Sequence, residues 1–238
     1  MKKIVVMLSL LMILVSSLVT AHELNVDGYT VALWHMNEGQ GEIIFDETQN
    51  NHDGTIRGAT WKSGKFGKAL LFDGIDDYAI VPSLVEQGPQ EEVTLEAWIK
   101  RNSQDDGMVV SRNGPYYLSV RGNKVEGGVY MGGSDWTDLR GQTEIQVGRW
   151  YYIAMTYDGE VLKVYVNGKE DASIPKTGIM PHTGQELFIG WGEPGQNQFF
   201  SGTIDEVRVS NISRDNFEFL PKPIKNKDRK KPDKIFRI

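Results

Sequence analysis

The stretch RWYYIAMTYDGEVLKVYVNGK, Arg149 to Lys169, decides how the chain is read. Its first half, RWYYIAMTYD, is apolar or aromatic on both faces of a two-residue period, as expected of a strand covered on both sides. In EVLKVYVNGK, Leu162, Val164 and Val166 share one face. Asn167-Gly168 then marks a hairpin, because both residues tolerate positive φ. Asp158-Gly159 marks the preceding turn. The second half of the chain is therefore a tight antiparallel meander.

The same pattern extends outward. In EVTLEAWIK, Val93, Leu95, Ala97 and Ile99 alternate with Thr94, Glu96, Trp98 and Lys100. Further runs rich in Val, Ile, Tyr and Trp predict strands at Thr30–Met36, Gly54–Trp61, Ala69–Phe72, Tyr78–Val81, Gly107–Arg112, Tyr116–Arg121, Lys124–Met131, Glu186–Trp191 and Gly202–Ser210. No helical period occurs before Ser213–Leu220, where one short terminal turn is expected. Many short strands divided by Gly, Asn, Asp and Pro predict an all-β sandwich or barrel.

The two ends differ from this body. MKK followed by an apolar run and by small residues at Val19 and Ala21 predicts a secretory signal peptide over 1–21, cleaved after Ala21. The expected destination is extracellular or in the cell envelope; the alternative is an uncleaved anchor. The chain contains no cysteine, so an exported domain over 22–214 must stand on its hydrophobic core or a bound ion. Residues 215–238 form a basic tail, with Lys222, Lys225, Lys227, Arg229, Lys230, Lys231, Lys234 and Arg237 against Asp228 and Asp233. Such a block is expected to be solvated and flexible, the alternative being contact with an envelope or another anionic surface. The whole chain carries a formal charge of −6, so the body without this tail is markedly acidic. That argues against nucleic acid as a partner of the domain.

Six motifs in order resemble a laminin-G-like domain of the concanavalin A-like jelly-roll superfamily. They are VALWHMNEGQGE, WKSGKFGKALLFDGIDDY, VTLEAWIK, GRWYYIAMTYDGEVLKVYVNGK, ELFIGWGE and FSGTIDEVRVS, and the resemblance they mark out spans nearly all of Tyr29–Arg214. The resemblance implies a two-sheet jelly-roll β-sandwich. It also implies a structural Ca²⁺, with Asp205 of the last strand meeting Asn37 and Glu38 of the first turn, and Asp46 or Asp53 as additions. In this chain Asn37 stands where the family pattern has a carboxylate, which removes one charge from that place.

Besides the ion, the residues bear on catalysis, a surface ion pair and ligand binding. Catalysis by Asp205-Glu206 is disfavoured, because adjacent strand residues are expected on opposite faces, whereas a glycosidase needs two carboxyls across one bond. No Glu-x-Asp-x-x-Glu run of the related enzymes, phosphate loop or metal-spaced histidine pair occurs. The chain is thus expected not to be an enzyme. Glu206 and Arg208, two apart on one strand face, are expected to form at most a solvated surface pair. Binding is favoured by aromatics in polar company: Trp136 with Asp135 and Arg140 in MGGSDWTDLRGQ, Trp191 in GWGEPGQNQFF, and Tyr116 in NGPYY. A ring to stack on a sugar face, flanked by carboxylate and amide groups for hydroxyls, suits a glycan. An extracellular protein partner is the alternative.

Overall fold

The last motif, FSGTIDEVRVS, becomes the strand on which the first sheet is assembled. The structure is a computed structural model that describes residues 21–82, 89–112, 114–183, 185–192 and 197–217. The signal-peptide reading, except Ala21, and the basic tail beyond residue 217 lie outside the described residues, as do Glu193 and Gln196.

Two antiparallel sheets of eight strands each pack face to face. The first runs β14 (Lys169–Pro175), β13 (Val161–Val166), β12 (Trp150–Tyr157), β7 (Val93–Arg101), β16 (Ser201–Ser210), β5 (Lys68–Asp73) and β4 (Thr60–Ser63), with β1 (Thr30–Trp34) also on β16. The second runs β11 (Trp136–Glu144), β10 (Lys124–Tyr130), β9 (Tyr116–Arg121), β8 (Gly107–Arg112), β15 (Leu187–Ile189), β6 (Tyr78–Val81), β3 (Gly54–Arg57) and β2 (Ile43–Ile44). Residues 213–217 are not helical, so the described part of Ser213–Leu220 does not form the expected helical turn.

The period-2 faces place the core. Leu95, Ala97 and Ile99 of β7 and Ile153 and Met155 of β12 meet Leu118, Val120 and Val125 of the second sheet in one buried cluster. The predicted hairpin forms as read: Asn167 and Gly168 both adopt positive φ, 50° and 75°.

Strand β16 holds a departure from the expected alternation. Asp205 pairs with Trp98 and Arg208 with Glu96, so Glu206 and Val207 together oppose one residue of β7. Glu206 sits at φ 53°, a left-handed conformation that costs a non-glycine residue about 1–2 kcal/mol. This bulge resets the register. Ile204, Val207 and Val209 enter the inter-sheet core, while Asp205, Glu206 and Arg208 are all buried outside it. The expectation that Asp205 and Glu206 part to opposite faces is therefore corrected, because one inserted residue cancels the alternation.

That outer face is sealed by both ends of the described chain. Leu24 and Phe217 join Leu33, Trp98, Tyr152, Ala154 and Tyr165 in a second apolar cluster. The segment before β1 is held largely by side chains. Glu206 accepts the Leu24 amide at 2.7 Å, Arg208 donates to the Asn25 carbonyl at 2.8 Å, and Arg214 grips both oxygens of Asp27 at 2.8 Å. Those Arg214 hydrogen bonds hold the Asp27 carboxyl well below the usual carboxylate range. Beneath this segment, Arg208 makes a two-pronged bond to Glu96 at 2.6 and 3.0 Å, and the Tyr152 hydroxyl donates to the same carboxylate. Both charged side chains are fully buried. Arg208 thus pairs with Glu96 rather than Glu206, and no solvated surface pair forms.

A buried pair of this kind costs desolvation that only its own geometry offsets. Glu96→Ala, which strands Arg208, is expected to destabilise the fold by about 3–5 kcal/mol in urea titration. The double replacement Glu96→Leu, Arg208→Met is expected to recover much of that loss. A double variant no more stable than the single one would show that the pair is essential rather than merely compensated.

Candidate functional site

The outer face of the second sheet is open where the first is sealed. An open cleft of about 240 Å³ runs along β8 and β9. Its floor is Met108, Ser111 and Tyr117, and Trp136 and Asp138 of β11 rise on one side. Gly192 and Gln198 close the other side. Arg112 and Tyr116, which pair in register across β8 and β9, mark one end, and Arg121 marks the other.

The cleft depends on a close approach at Gly128. A Cβ there would lie 2.2 Å from a ring carbon of Tyr117, so only glycine lets that ring lie across β10. Tyr117 then reaches Asp138 at 2.8 Å and Glu126 at 3.1 Å. Burial, together with these two carboxylates, pushes its hydroxyl far above the ordinary tyrosine range, so it stays a neutral donor. Glu126 is buried, and Arg140 holds it through two donors at 2.6 and 2.9 Å, with Arg121 at 3.3 Å. Trp136 is 49% exposed and stacks on Tyr130 at 4.7 Å between ring centroids. The stack braces one face of its indole from behind.

Of the residues expected to bind ligand, Trp136 and Tyr116 line this cleft. Tyr116 does so as a fully buried residue rather than an exposed loop aromatic. Trp136 stands on an edge strand, not on the loop where it was expected. Asp135 turns away to Lys176 at 2.5 Å. Arg140 is committed to Glu126 and acts behind the cleft. Trp191 is packed against Phe199, stacked at 5.3 Å, and against Tyr78 and Phe188 at 5.0 Å, and it is not among the residues that line this cleft. The sequence reading missed Arg112, Arg121, Ser111 and Gln198. Two arginines inside otherwise apolar strand runs were the available signal.

Each of the expected ion ligands accepts a backbone amide. Asp205 Oδ2 accepts the amides of Lys65 and Phe66 at 2.7 and 3.0 Å, and Asn37 Oδ1 accepts that of Lys68 at 2.8 Å. Glu38 turns instead to the amide of Phe45 at 2.8 Å. Asp46 and Asp53 cap their own loop, Asp46 taking the amides of Leu33, Thr48 and His52 while Asp53 takes that of Asp46. Calcium asks for six to eight converging oxygens. Here loop amides occupy Asp205 Oδ2, Asn37 Oδ1 and Glu38 Oε1, which ties the loop around Gly64 to β16, while Asp205 Oδ1 and Glu38 Oε2 are buried without a hydrogen bond of normal geometry among the described residues.

Burial pushes the Asp205 carboxyl up to about 7, against its amide donors and with the help of Glu206. A carboxyl raised in the fold gives up stability as pH climbs from its unfolded value near 4 through 7. Asp205→Asn keeps an oxygen for the two amides and removes the buried charge. It is expected to raise the melting temperature at pH 8 and to lose that advantage by pH 5. Chelator is expected to leave the native melting temperature unchanged; a fall with chelator, or a destabilised Asp205→Asn at pH 8, would restore an ion to this place.

The sequence pattern of the concanavalin A-like lectin/glucanases superfamily matches residues 73–217. Human pappalysin-1 is 26% identical over 195 residues, which span 69% of this chain and only 11% of that protein. Domain 4 of AbnA, a GH43 extracellular arabinanase from Geobacillus stearothermophilus solved with arabinotriose, superposes with a TM-score of 0.62 at 20% identity, covering 78% of this chain and 93% of the domain. The binding domain of Paraclostridial Mosquitocidal Protein 1 gives 0.65 at 14% identity, over 80% of this chain and 51% of that one. A botulinum neurotoxin type C structure, described through its interaction with two ganglioside molecules, gives 0.59 at 12% identity over 79% and 49%. At these identities the structural likenesses establish the fold.

Proposed function

The chain belongs to the concanavalin A-like lectin/glucanases superfamily, and from that premise we propose that it is an exported, non-catalytic module that binds carbohydrate in the cleft beside Trp136. The observation that carries this reading is the pairing of a half-exposed indole with hydrogen-bonding groups along one open groove. The free face of Trp136 offers an apolar plane for a sugar ring. Ser111, Asp138 and Gln198 offer a hydroxyl, a carboxylate and an amide for its hydroxyl groups. The cleft is smaller than the roughly 300–1,000 Å³ of sites that engulf a drug-sized ligand. It suits one ring, with the rest of a chain lying outside. A likeness to an arabinanase domain solved with arabinotriose supports this choice of ligand class.

The non-catalytic part rests on the acids. Asp205 and Glu206 share a face but are fully buried under the segment that carries Leu24. Asp138 and Glu126 of the open sheet are bonded to Tyr117 and to arginine. Neither pair stands free across a space for a scissile bond. Export rests on the sequence of the first 21 residues, and the basic tail is read as a solvated extension.

A panel of polysaccharides and oligosaccharides, arabinan fragments included, tests the proposal by glycan array and titration calorimetry. At least one saccharide is expected to bind, with Trp136→Ala weakening it tenfold or more while the melting temperature barely moves. Gly128→Ala, which evicts the Tyr117 ring, is expected to weaken the same ligand. Absence of any saccharide binding together with capture of an extracellular protein would replace this reading by a protein-interaction module.

A further inference from the structure

On the carbohydrate reading above, we infer that Lys176 is a positioning residue of the cleft: through Asp135 it fixes the indole of Trp136 from the opposite sheet. Trp136 belongs to β11, an edge strand that has β10 on one side only. Its other margin lies beside β14, the edge strand of the first sheet. Two side chains cross from there, Asp171 of β14 and Lys176 just after it.

The far end of β11 is clamped. Val164 pairs with Ala172 and Tyr165 with Glu170, so Asp171 is an extra residue without a partner on β13. Lys124 pairs with Glu144 and Glu126 with Arg140, so Gly141, Gln142 and Thr143 together oppose Val125. Bulges re-aim side chains, and these two face each other. Asp171 accepts the amides of Gln142 and Thr143, and the Thr143 hydroxyl at 2.6 Å. A Cβ at Gly141 would lie 2.1 Å from Asp171 Oδ2, so only glycine admits the carboxylate.

The near end, which carries Trp136, is built differently. It follows the turn Met131-Gly132-Gly133-Ser134-Asp135, in which both glycines take positive φ, 100° and 65°. No atom lies within 4 Å of a Cβ placed on either, so the glycines serve the bend of the chain and not a close approach. The bonds of the turn are local. The Met131 amide donates to the Asp135 carbonyl at 3.0 Å, the Asp135 amide to that of Gly132 at 3.1 Å, and the Tyr130 hydroxyl to that of Gly133 at 3.1 Å. Lys176 supplies the tie to the first sheet. Its side chain is 12% exposed and its ammonium meets Asp135 at 2.5 Å. Its own amide donates to the Glu160 carbonyl at 2.8 Å, which fixes the base of the lysine to the turn between β12 and β13. Asp135 immediately precedes Trp136, so the pair sets where the indole stands. A platform that is in place for only part of the time lowers affinity by that fraction. An ion pair that touches no ligand thereby governs the affinity for an uncharged sugar.

Arabinotriose, cellotriose, maltotriose and mannotriose, all uncharged, are the probes, titrated by calorimetry at low salt and at about 1 M, where the screening length is ~3 Å. The native chain is expected to bind at least one of them, and about two- to fivefold more weakly at high salt, the range of a part-exposed ion pair. Lys176→Gln is expected to give the weaker value at both salt levels. The exchange of Lys176→Glu with Asp135→Lys is expected to regain the native value. In chains labelled with fluorotryptophan, the fluorine resonance that disappears in Trp136→Phe is expected to shift or broaden in Lys176→Gln and to return with the exchange. A Lys176→Gln chain that binds as the native one does, while Trp136→Ala fails to bind, overturns the positioning role and leaves the carbohydrate reading standing. A loss that the exchange does not restore, or an unmoved fluorine resonance, overturns it equally. If the variants do not fold by circular dichroism, the salt dependence of the native chain decides alone. No binding by these probes or by any other saccharide overturns both readings.

Discussion

One backbone inversion governs the first sheet. Glu206 occupies a left-handed conformation in the middle of β16, and everything on the outer face follows from it. With regular alternation, Glu206 would point into the apolar space between the sheets, where an unpaired carboxylate is prohibitive. The inserted residue instead returns Val207 to the core and sends both acids outward. Glu206 then bonds the Leu24 amide and His35, at 2.7 and 2.8 Å. Asp205 bonds the loop before β5 through Lys65 and Phe66. The strain of one residue is offset by hydrogen bonds that fasten two separate segments to the final strand.

The two outer faces are thus put to different uses. On the first sheet, three acids of the face meet basic side chains, Glu96 with Arg208, Asp27 with Arg214 and Glu206 with His35, while Asp205 meets backbone amides. The apolar cluster of Leu24 and Phe217 keeps water from them. On the second sheet nothing from either end of the described chain lies over β9 and β10, and small residues replace a lid. Gly128 admits Tyr117 from one strand away. The sheets are also tied together at one margin, where Asp171 of β14 accepts the amides of Gln142 and Thr143 of β11 at 2.8 and 3.0 Å. That clip covers part of two edge strands and limits their value as templates for another chain.

The reading from residues succeeded where burial repeats with the strand period. Gly107–Arg112 and Tyr116–Arg121 are the observed strands without a shift at either end, because apolar residues run through both. It failed at the edges. Trp136–Glu144 and Lys169–Pro175 are strands of mostly exposed residues, WTDLRGQTE and KEDASIP, whose polarity reads as loop. This matters for the site, since Trp136 owes its fixed position to belonging to a ladder with β10. Gly54–Trp61 was read as one strand; it divides into β3 and β4, which belong to different sheets. The bulge at Glu206 was invisible for a different reason. A glutamate carries no signal for positive φ, and its position is set by partners at Leu24 and His35, more than 170 residues earlier.

That separation bears on how the domain closes. Strand β1 pairs only with β16, and the segment carrying Leu24 is held by Glu206, Arg208 and Arg214. Neither can find its place until the last strand is present, and contacts so distant in sequence are slow to form. The meander of β12, β13 and β14 needs only near neighbours and two short turns. The cleft belongs to this local part of the architecture, since β8, β9, β10 and β11 are consecutive in sequence and pair in order. The site is carried by the half of the fold that assembles from local contacts. The buried charges, by contrast, lie where the two ends of the domain must meet, and there a misplaced segment would leave a carboxylate or a guanidinium without its partner.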